Sequence, residues 1–296
     1  MIRKQARDAP GVVFAIAAPL LYSSLVPLSK VFLRQVDAWM LAGLLDMGAG
    51  LGMVVVYLLR RAVRREPVKN ALGERDWRWL WASVFTGGLL SPVLQTYGIA
   101  HSPAASASLL LNLEGVFTGL IAWIIFREAF NRRVAWGLAT ITSGSVILIW
   151  TGDSTLRFSL GSLAIVGACL GWATASNLTH KISNRDPVQL VMLKTCVTGS
   201  LNVGFALAIG NALPVLPVLG AIALTGFLCI GLTFLCYIMA LRHVGTSRAG
   251  AFFSLFPFSG AILAIITLDE PITPNLLAAG GLMALGVWFC VKKHAV

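Results

Sequence analysis

The sequence predicts an all-α integral membrane protein whose ten transmembrane helices form two inverted five-helix repeats. Of its 296 residues, 57% are hydrophobic and 12% are charged, which is about half of the roughly 25% charged share of soluble domains. The apolar residues fall into ten runs, each near the ~20 residues that a helix needs to cross a bilayer. In addition, polar landmark residues recur at a fixed offset between the two halves of the chain.

The ten runs follow one another with short breaks. Because lipid cannot hydrogen-bond the backbone, we expect each run to be a helix. The stretch 60–78 is long and charged, so it predicts an aqueous loop. Numbered as spans 1 to 10, the runs are about 11–29, 37–59, 79–100, 104–126, 134–151, 160–180, 187–210, 216–240, 245–268 and 274–291.

The positive charges indicate how the chain sits in the membrane. The net charge of +11 lies in the gaps between apolar runs, which is typical of membrane-flanking charge and argues against a nucleic-acid partner. With the N-terminus in the cytoplasm, nineteen Lys and Arg residues fall on that side and three on the other. The positive-inside rule therefore predicts a multi-pass protein of the cell's inner membrane with both termini cytoplasmic.

The five cysteines lie within apolar runs without metal-ligand spacing, so no metal or cofactor is expected.

The two halves of the chain repeat their polar landmarks at an offset of 142 residues. The offset divides the chain into a first repeat, residues 1–152, and a second repeat, residues 153–296. Each repeat holds five spans, an odd number, so the second enters the membrane upside down. Inverted repeats are the architecture of secondary transporters, which expose a central site to each side in turn. The matched pairs are His101 with His243, Glu128 with Glu270, Gln95 with Tyr237, and Asn112 with Ser254.

Three stretches carry a resemblance to a known family. Residues 109–148 and 251–288 each hold a leucine-rich helix, a turn with a glutamate and a glycine-rich last helix, and residues 171–181 read GWATASNLTHK. They resemble the repeated segment of EamA-type carriers in the drug/metabolite transporter (DMT) superfamily. The resemblance covers nearly the whole chain. It implies ten helices and export of metabolites or amino acids, with the YddG-type exporters of aromatic amino acids as a close comparison.

Charged residues inside the spans are the first candidates for a site, because an intramembrane charge needs a partner or a water-filled pathway. They are Asp46 in span 2, Glu114 in span 4 and Lys194 in span 7. Glu114, near the membrane centre, could contact an ammonium group, carry a proton, or tie two helices together as a buried carboxyl. Asp46 and Lys194 lie at corresponding depths of matching spans, and a mutual ion pair is one hypothesis, although inverted symmetry does not require contact.

Polar and aromatic residues near the middle of the spans complete the predicted substrate pathway. Aromatic walls with a few polar groups would suit amino acids with apolar side chains, whereas packing and interhelical hydrogen bonds are the alternative for any one residue. Pro257, inside span 9, is expected to kink its helix and free carbonyl groups. The predicted pathway residues are Tyr22, Ser24, Gln95, Asn112, Glu114, Trp172, Asn177, Tyr237, Ser254 and Pro257.

These observations favour a secondary carrier that exports small metabolites, above all amino acids including aromatic ones. The sequence has no Walker-type phosphate loop and no nucleophile-elbow or zinc-protease motif, so neither ATP-driven transport by this chain nor an enzyme is predicted. A proton-coupled drug exporter is the nearest alternative, and a membrane enzyme acting on lipid-linked substrates is a distant one. Two five-helix repeats can enclose a complete pathway, so a monomer would suffice.

Overall fold

The computed structural model describes residues 2–64, 73–125, 132–150, 159–180, 186–244, 249 and 252–291. Within this part of the chain the regular structure is helical, without strands. The α-helices are α1 (Ile2–Ser23), α2 (Leu25–Phe32), α3 (Ala38–Arg64), α4 (Trp77–Ser83), α5 (Leu90–Ala100), α6 (Ala104–Leu110), α7 (Leu113–Ile124), α8 (Arg132–Ile149), α9 (Leu160–His180), α10 (Pro187–Ala208), α11 (Leu216–Gly226), α12 (Thr233–Val244), α13 (Phe256–Leu268) and α14 (Pro274–Val291).

Every predicted span contains helix, and several spans are made of two helices in succession. Among the described residues, six stretches are long and apolar enough to cross a membrane, and two shorter apolar helices, Phe256–Leu268 and Pro274–Cys290, accompany them. The predicted all-α membrane architecture is therefore confirmed, while the count of ten crossings stays a prediction. The six stretches are Gly11–Phe32, Ala38–Ala62, Ala104–Ile124, Leu160–Thr179, Pro187–Ala208 and Leu216–Ala240.

The loop predicted at 60–78 is shorter than expected. Helix α3 continues to Arg64, and a short 3₁₀ turn at Glu74–Asp76 leads directly into α4. Charged residues such as Arg60 and Arg61 thus extend the helix beyond its apolar part, because arginine has a high helix propensity. The charge marks where the apolar run ends and not where the helix ends.

Interruptions fall at matching places in the two halves. Spans 3 and 8 each contain a π-helical stretch, Val84–Leu89 and Phe227–Leu232. Span 4 is broken by a turn between α6 and α7, and span 9 by a turn just before α13. Pro257 lies in the first turn of α13, where its missing N–H removes no intrahelical bond. The interruption lies directly before the proline, where a proline disfavours continuation of the preceding helix, so the kink expected at Pro257 stays a prediction.

Close helix pairs form the framework. Helix α3 packs along α10, α8 along α14, α1 against α12 and α5 against α9. Glycines allow the backbones to approach, as small residues do in membrane helix interfaces. A Cβ on Gly199 of α10 would lie 2.5 Å from the backbone nitrogen of Met47 on α3. The α3–α10 pair brings Asp46 and the face of α10 that carries Lys194 to the same place.

Both ends of the α3–α10 pair are fastened by an aspartate. Asp37 caps the start of α3 and accepts a hydrogen bond of 2.9 Å from the Asn211 amide that follows α10. At the opposite end, Asp186 caps the start of α10 and forms an ion pair of 3.0 Å with Arg60 of α3. Each carboxylate satisfies N–H groups that a helix start leaves open.

Candidate functional site

A cavity of about 580 Å³ lies among helices from both halves of the chain. Its volume is within the usual range of small-molecule sites, and its wall is mostly apolar with a few polar groups, as such sites usually are. The wall is built from α1, α2, α3, α4, α5, α7, α9, α10 and α12, together with the two π-helical stretches and Phe253 from the segment before α13. Its polar and aromatic residues are Tyr22, Asp46, Gln95, Thr96, Glu114, Trp172, Ser176, Thr179, Lys194, Thr195, Thr198, Phe234, Tyr237 and Phe253.

The structure brings seven of the predicted site residues to this one cavity. All three charged residues of the spans are among them, although they come from three different helices. The sequence predicts corresponding depths for Asp46 and Lys194 and a position near the membrane centre for Glu114, and the packing of the helices turns all three toward a common space. The seven residues are Tyr22, Asp46, Gln95, Glu114, Trp172, Lys194 and Tyr237.

The other five predicted residues are not part of the cavity wall. The Ser24 hydroxyl donates 3.2 Å to the carbonyl four residues earlier, and the Asn177 amide does the same over 2.9 Å. The Asn112 amide donates 3.0 Å to the carbonyl three residues earlier. Ser254 lies in the turn before α13, and Pro257 lies in the first turn of that helix. For Ser24, Asn112 and Asn177 the geometry matches the packing alternative, because their polar atoms satisfy backbone carbonyls.

Asp46 is held by a hydroxyl group of α10. Its carboxylate accepts a hydrogen bond of 2.8 Å from the Thr198 hydroxyl and is 7% exposed. Lys194, one turn before Thr198, interacts electrostatically with both Asp46 and Glu114. Within the described part of the chain, Lys194 forms no ion pair within 4.0 Å. The hypothesised Asp46–Lys194 ion pair is therefore not a direct contact, since Thr198 occupies the position beside the carboxylate.

Glu114 presents a carboxylate to the cavity from the first turn of α7. The break between α6 and α7 puts a helix start at the depth of the cavity. The positive end of the helix dipole favours a carboxylate at this position. Across the described ranges the Glu114 side chain has no hydrogen-bond or ion-pair partner. It is therefore available to a ligand.

Aromatic rings form one side of the cavity. Tyr22 of α1 packs edge-on against Phe256, with ring centroids 4.8 Å apart. Phe253 lies 4.8 Å from the Tyr237 ring and 5.8 Å from the Tyr22 ring. Trp172 adds a further aromatic surface from α9. Offset and edge-to-face contacts of this kind hold the rings in fixed orientations, so they form a firm apolar wall.

Seven polar or aromatic wall residues were not predicted from the sequence, and Thr198 and Phe253 illustrate two different reasons. Thr198 is four residues after Lys194, so it lies on the same face of α10. That spacing is a signal that could have identified it. Phe253 carries no comparable signal, since it is one of fifteen phenylalanines and apolar rings are common throughout membrane spans.

The cavity extends toward one end of the molecule. Its wall reaches Leu80, Thr179 and Leu190, which lie at the end where Asp186 caps α10. The positive-inside rule predicts that this end faces the cytoplasm. At the same end the hydroxyl groups of Ser83 and Thr179 are hydrogen-bonded over 2.8 Å, which joins α4 to α9.

At the opposite end, two charged residues hold the turn between α5 and α6. We call Lys30 and Glu270 the outer clamp. The Lys30 ammonium donates to three carbonyls at 2.6, 3.1 and 2.7 Å, those of Ile99, Ala100 and Ser102. These contacts satisfy carbonyls that the end of α5 leaves open, and a cation also complements the negative end of the helix dipole.

Glu270 completes the outer clamp from the turn between α13 and α14. Its carboxylate accepts hydrogen bonds of 2.6 and 2.8 Å from the backbone nitrogens of Ala104 and Ala105, the first residues of α6. Glu270 therefore caps the start of α6. Its partner in the offset, Glu128, lies outside the described residues.

Comparisons with known proteins agree with this architecture. The sequence model described as the EamA-like transporter family matches residues 9–150 and 159–292. A solved crystal structure superposes with a TM-score of 0.67 over 95% of this chain and 96% of its own. Its sequence identity is 18%, so this likeness supports the fold alone.

Two curated relatives extend the comparison. The chain is 28% identical over 295 positions to an "Uncharacterized transporter" of Methanothermobacter thermautotrophicus, covering 94% of this chain and 85% of the relative. It is 26% identical over 214 positions to a "Probable amino-acid metabolite efflux pump" of Salmonella typhimurium, covering 64% of this chain and 68% of that protein.

Proposed function

The chain belongs to the EamA-like transporter family of the DMT superfamily, and from this premise we propose that it is a secondary carrier exporting small metabolites, above all amino acids including aromatic ones. The observation that carries the proposal is the cavity of about 580 Å³, which combines aromatic walls with charged residues at membrane depth. Such charges mark substrate pathways in membrane proteins. The proposal includes no enzymatic reaction.

The similarity to a named exporter supports the substrate class. The Salmonella typhimurium relative carries the name of an amino-acid metabolite efflux pump. An amino acid combines two charged groups with a variable side chain, and this cavity combines charged groups with an apolar wall. The agreement between the relative's name and the chemistry of the wall favours amino acids over other small metabolites.

We further propose that residues 1–152 and 153–296 are two inverted repeats. Matching features in the two halves support this division. Asp37 and Asp186 fasten opposite ends of the α3–α10 pair, and the π-helical stretches occur at corresponding places in spans 3 and 8. The contact of α1 with α12 likewise corresponds to the contact of α9 with α5.

Alternating access is the transport mechanism that this arrangement favours. The cavity extends toward the predicted cytoplasmic end, while the outer clamp holds the helix ends together on the other side. Substrate would enter from the cytoplasm and leave after the two repeats have rocked and the clamp has opened. The proposed location is the inner membrane with both termini cytoplasmic, and one chain would form the whole pathway.

Counterflow in proteoliposomes tests the proposal. Purified protein loaded with unlabelled amino acid should accumulate the labelled form. Trp172→Ala should raise the half-saturation concentration by about 10- to 150-fold, because losing an aromatic surface of the wall costs a ligand ~1.5–3 kcal/mol. Trp136→Ala is the matched control. Trp136 is 68% exposed on α8, outside the cavity wall, so this variant should match the wild type.

Two results would contradict the proposal. Failure to exchange any amino acid in a broad panel would overturn amino-acid export and favour the drug exporter. Equal half-saturation concentrations for Trp172→Ala and the wild type would show that the substrate does not bind in this cavity.

A further inference from the structure

We infer that the cavity binds its substrate as a zwitterion, with Glu114 receiving an ammonium group and Lys194 receiving a carboxylate group. The inference rests on the proposed function, because it takes the cavity as the substrate site. It adds the charge state of the ligand and the residue that recognises each end.

The first step is the accessibility of the two charges. Glu114 and Lys194 both line the cavity, and neither has a hydrogen-bond or ion-pair partner among the described residues. A charge at membrane depth without a partner is unfavourable. Two such groups of opposite sign in one cavity are complementary to a ligand that carries both signs.

The second step separates Asp46 from these two groups. Its carboxylate is 7% exposed and accepts the Thr198 hydrogen bond. Asp46 interacts electrostatically with Lys194, but its contact with α10 leaves little of its surface for a ligand. Asp46 is therefore a positioning residue that stabilises the positive charge of Lys194, whereas Glu114 and Lys194 contact the ligand.

The third step excludes ligands with a single charge. An amine without a carboxylate would neutralise Glu114 but would bring a second cation near Lys194. A carboxylic acid without an amine would neutralise Lys194 and bring a second anion near Glu114. Either ligand leaves Glu114 or Lys194 without a direct hydrogen-bonded partner in a mostly apolar space, which is costly even where Asp46 partly balances the Lys194 charge. A zwitterion satisfies both groups, so α-amino acids fit this cavity better than amine drugs or simple carboxylic acids do.

The remaining wall indicates the character of the side chain. Gln95 is 5% exposed and lines the cavity, and its amide nitrogen has no hydrogen-bond partner in the described part of the chain. This donor offers one more contact to an oxygen of the ligand. The Tyr22, Tyr237 and Phe253 rings supply an apolar surface. A neutral amino acid with an apolar or aromatic side chain matches these features.

The test compares three ligands that differ by one charged group. Phenylalanine carries both groups, phenylalaninamide lacks the carboxylate, and 3-phenylpropionate lacks the ammonium. Binding to the purified protein in detergent is measured by calorimetry. The wild type should bind phenylalanine at least about tenfold more tightly than either analogue, which corresponds to ~1.4 kcal/mol or more.

Variants then assign each charge to a residue. In Glu114→Gln the preference for phenylalanine over 3-phenylpropionate should fall to within about threefold, while the preference over phenylalaninamide persists. Lys194→Gln should show the reverse pattern. Glu114→Asp and Lys194→Arg retain the charges and should keep both preferences, so they remain informative if a neutral variant fails to fold. Unchanged ligand preferences in both neutral variants would overturn the inference, as would the loss of both preferences in the charge-retaining pair.

The two proposals can fail separately. Amino-acid counterflow together with unchanged ligand preferences in Glu114→Gln and Lys194→Gln would overturn the zwitterion inference and leave the exporter standing. Conversely, the expected preferences without counterflow of any amino acid would overturn the exporter and leave the charge assignment standing.

Discussion

A single hydroxyl group determines how the Asp46 carboxylate is held inside the bilayer. The Thr198 hydroxyl donates 2.8 Å to Asp46 and also lies 3.4 Å from the carbonyl of Thr195 in its own helix. Hydrogen bonds to charged groups are stronger than those between neutral groups. This contact therefore keeps Asp46 against α10 and leaves Lys194 turned toward the cavity.

Removing the Thr198 hydroxyl should destabilise the fold more than removing a hydroxyl that is hydrogen-bonded only within its own helix. We expect Thr198→Val to lower the free energy of unfolding by about 1–2 kcal/mol, because it leaves a buried carboxylate without its donor. Thr225→Val is the matched control, since the buried Thr225 hydroxyl donates 2.8 Å to the carbonyl of Ala221 in the same helix. The free energy of unfolding of Thr225→Val should fall by no more than about 0.5 kcal/mol, which is the usual range for substitutions that break no network or cap.

Unfolding in mixed detergent micelles measures both variants. Equal losses of unfolding free energy in Thr198→Val and Thr225→Val would show that the hydrogen bond to Asp46 stabilises the fold no more than a hydrogen bond within one helix does.

At the scale of the helices, the contact between α3 and α10 sets the shape of the site. The two backbones approach closely at Gly199, where a Cβ would lie 2.5 Å from the Met47 nitrogen and 3.0 Å from the Asp46 carbonyl carbon. The same contact joins the helix that carries Asp46 to the helix that carries Lys194. The glycine is required by the neighbouring backbone and not by its own torsion angles.

A methyl group at that contact should separate the helices. Gly199→Ala is expected to destabilise the fold by about 1–3 kcal/mol, the usual cost of overpacking, and to weaken amino-acid binding as the cavity wall shifts. A Cβ on Gly204 of the same helix would meet no atom of the described residues within 4 Å, so Gly204→Ala is the control. It should be neutral or more stable by up to ~1 kcal/mol, because alanine has the higher helix propensity.

Thermal unfolding with and without phenylalanine measures both effects. A Gly199→Ala protein as stable as the Gly204→Ala protein would contradict the importance of close α3–α10 packing.

For the whole molecule, the outer clamp distinguishes the two ends of the cavity. Lys30 and Glu270 tie the turn between α5 and α6 to span 1 and to the turn between α13 and α14. The cavity wall extends toward the other end, to Leu80 and Leu190. In the proposed alternating-access cycle, this arrangement corresponds to the state in which the end predicted to be cytoplasmic is open and the clamp is closed.

Weakening the clamp should increase access from outside. Glu270→Gln removes a carboxylate that accepts two backbone hydrogen bonds, so the state with the outer side open should become more populated. A Ser176→Cys reporter in the cavity wall should then react several-fold faster with a membrane-impermeant thiol reagent applied outside. The matched change Glu74→Gln lies on an exposed turn and should leave the rate unchanged.

The parent protein without the reporter gives the background from its own cysteines. An unchanged labelling rate in Glu270→Gln would show that Glu270 only caps α6.

By itself, the sequence determined the helical membrane fold and the family resemblance, and it predicted the depth of the charged residues. The length of the apolar runs, together with the need for internal backbone hydrogen bonds in lipid, is enough to predict the helices. Charge inside the spans pointed to Asp46, Glu114 and Lys194 as candidate site residues. Only the tertiary structure decided which face each helix turns to the cavity. Lipid and protein interior are similarly apolar, so hydropathy does not distinguish the faces. For that reason Asn112 and Asn177, polar and at the expected depth, bond to backbone carbonyls, while Thr198 and Phe253 line the cavity.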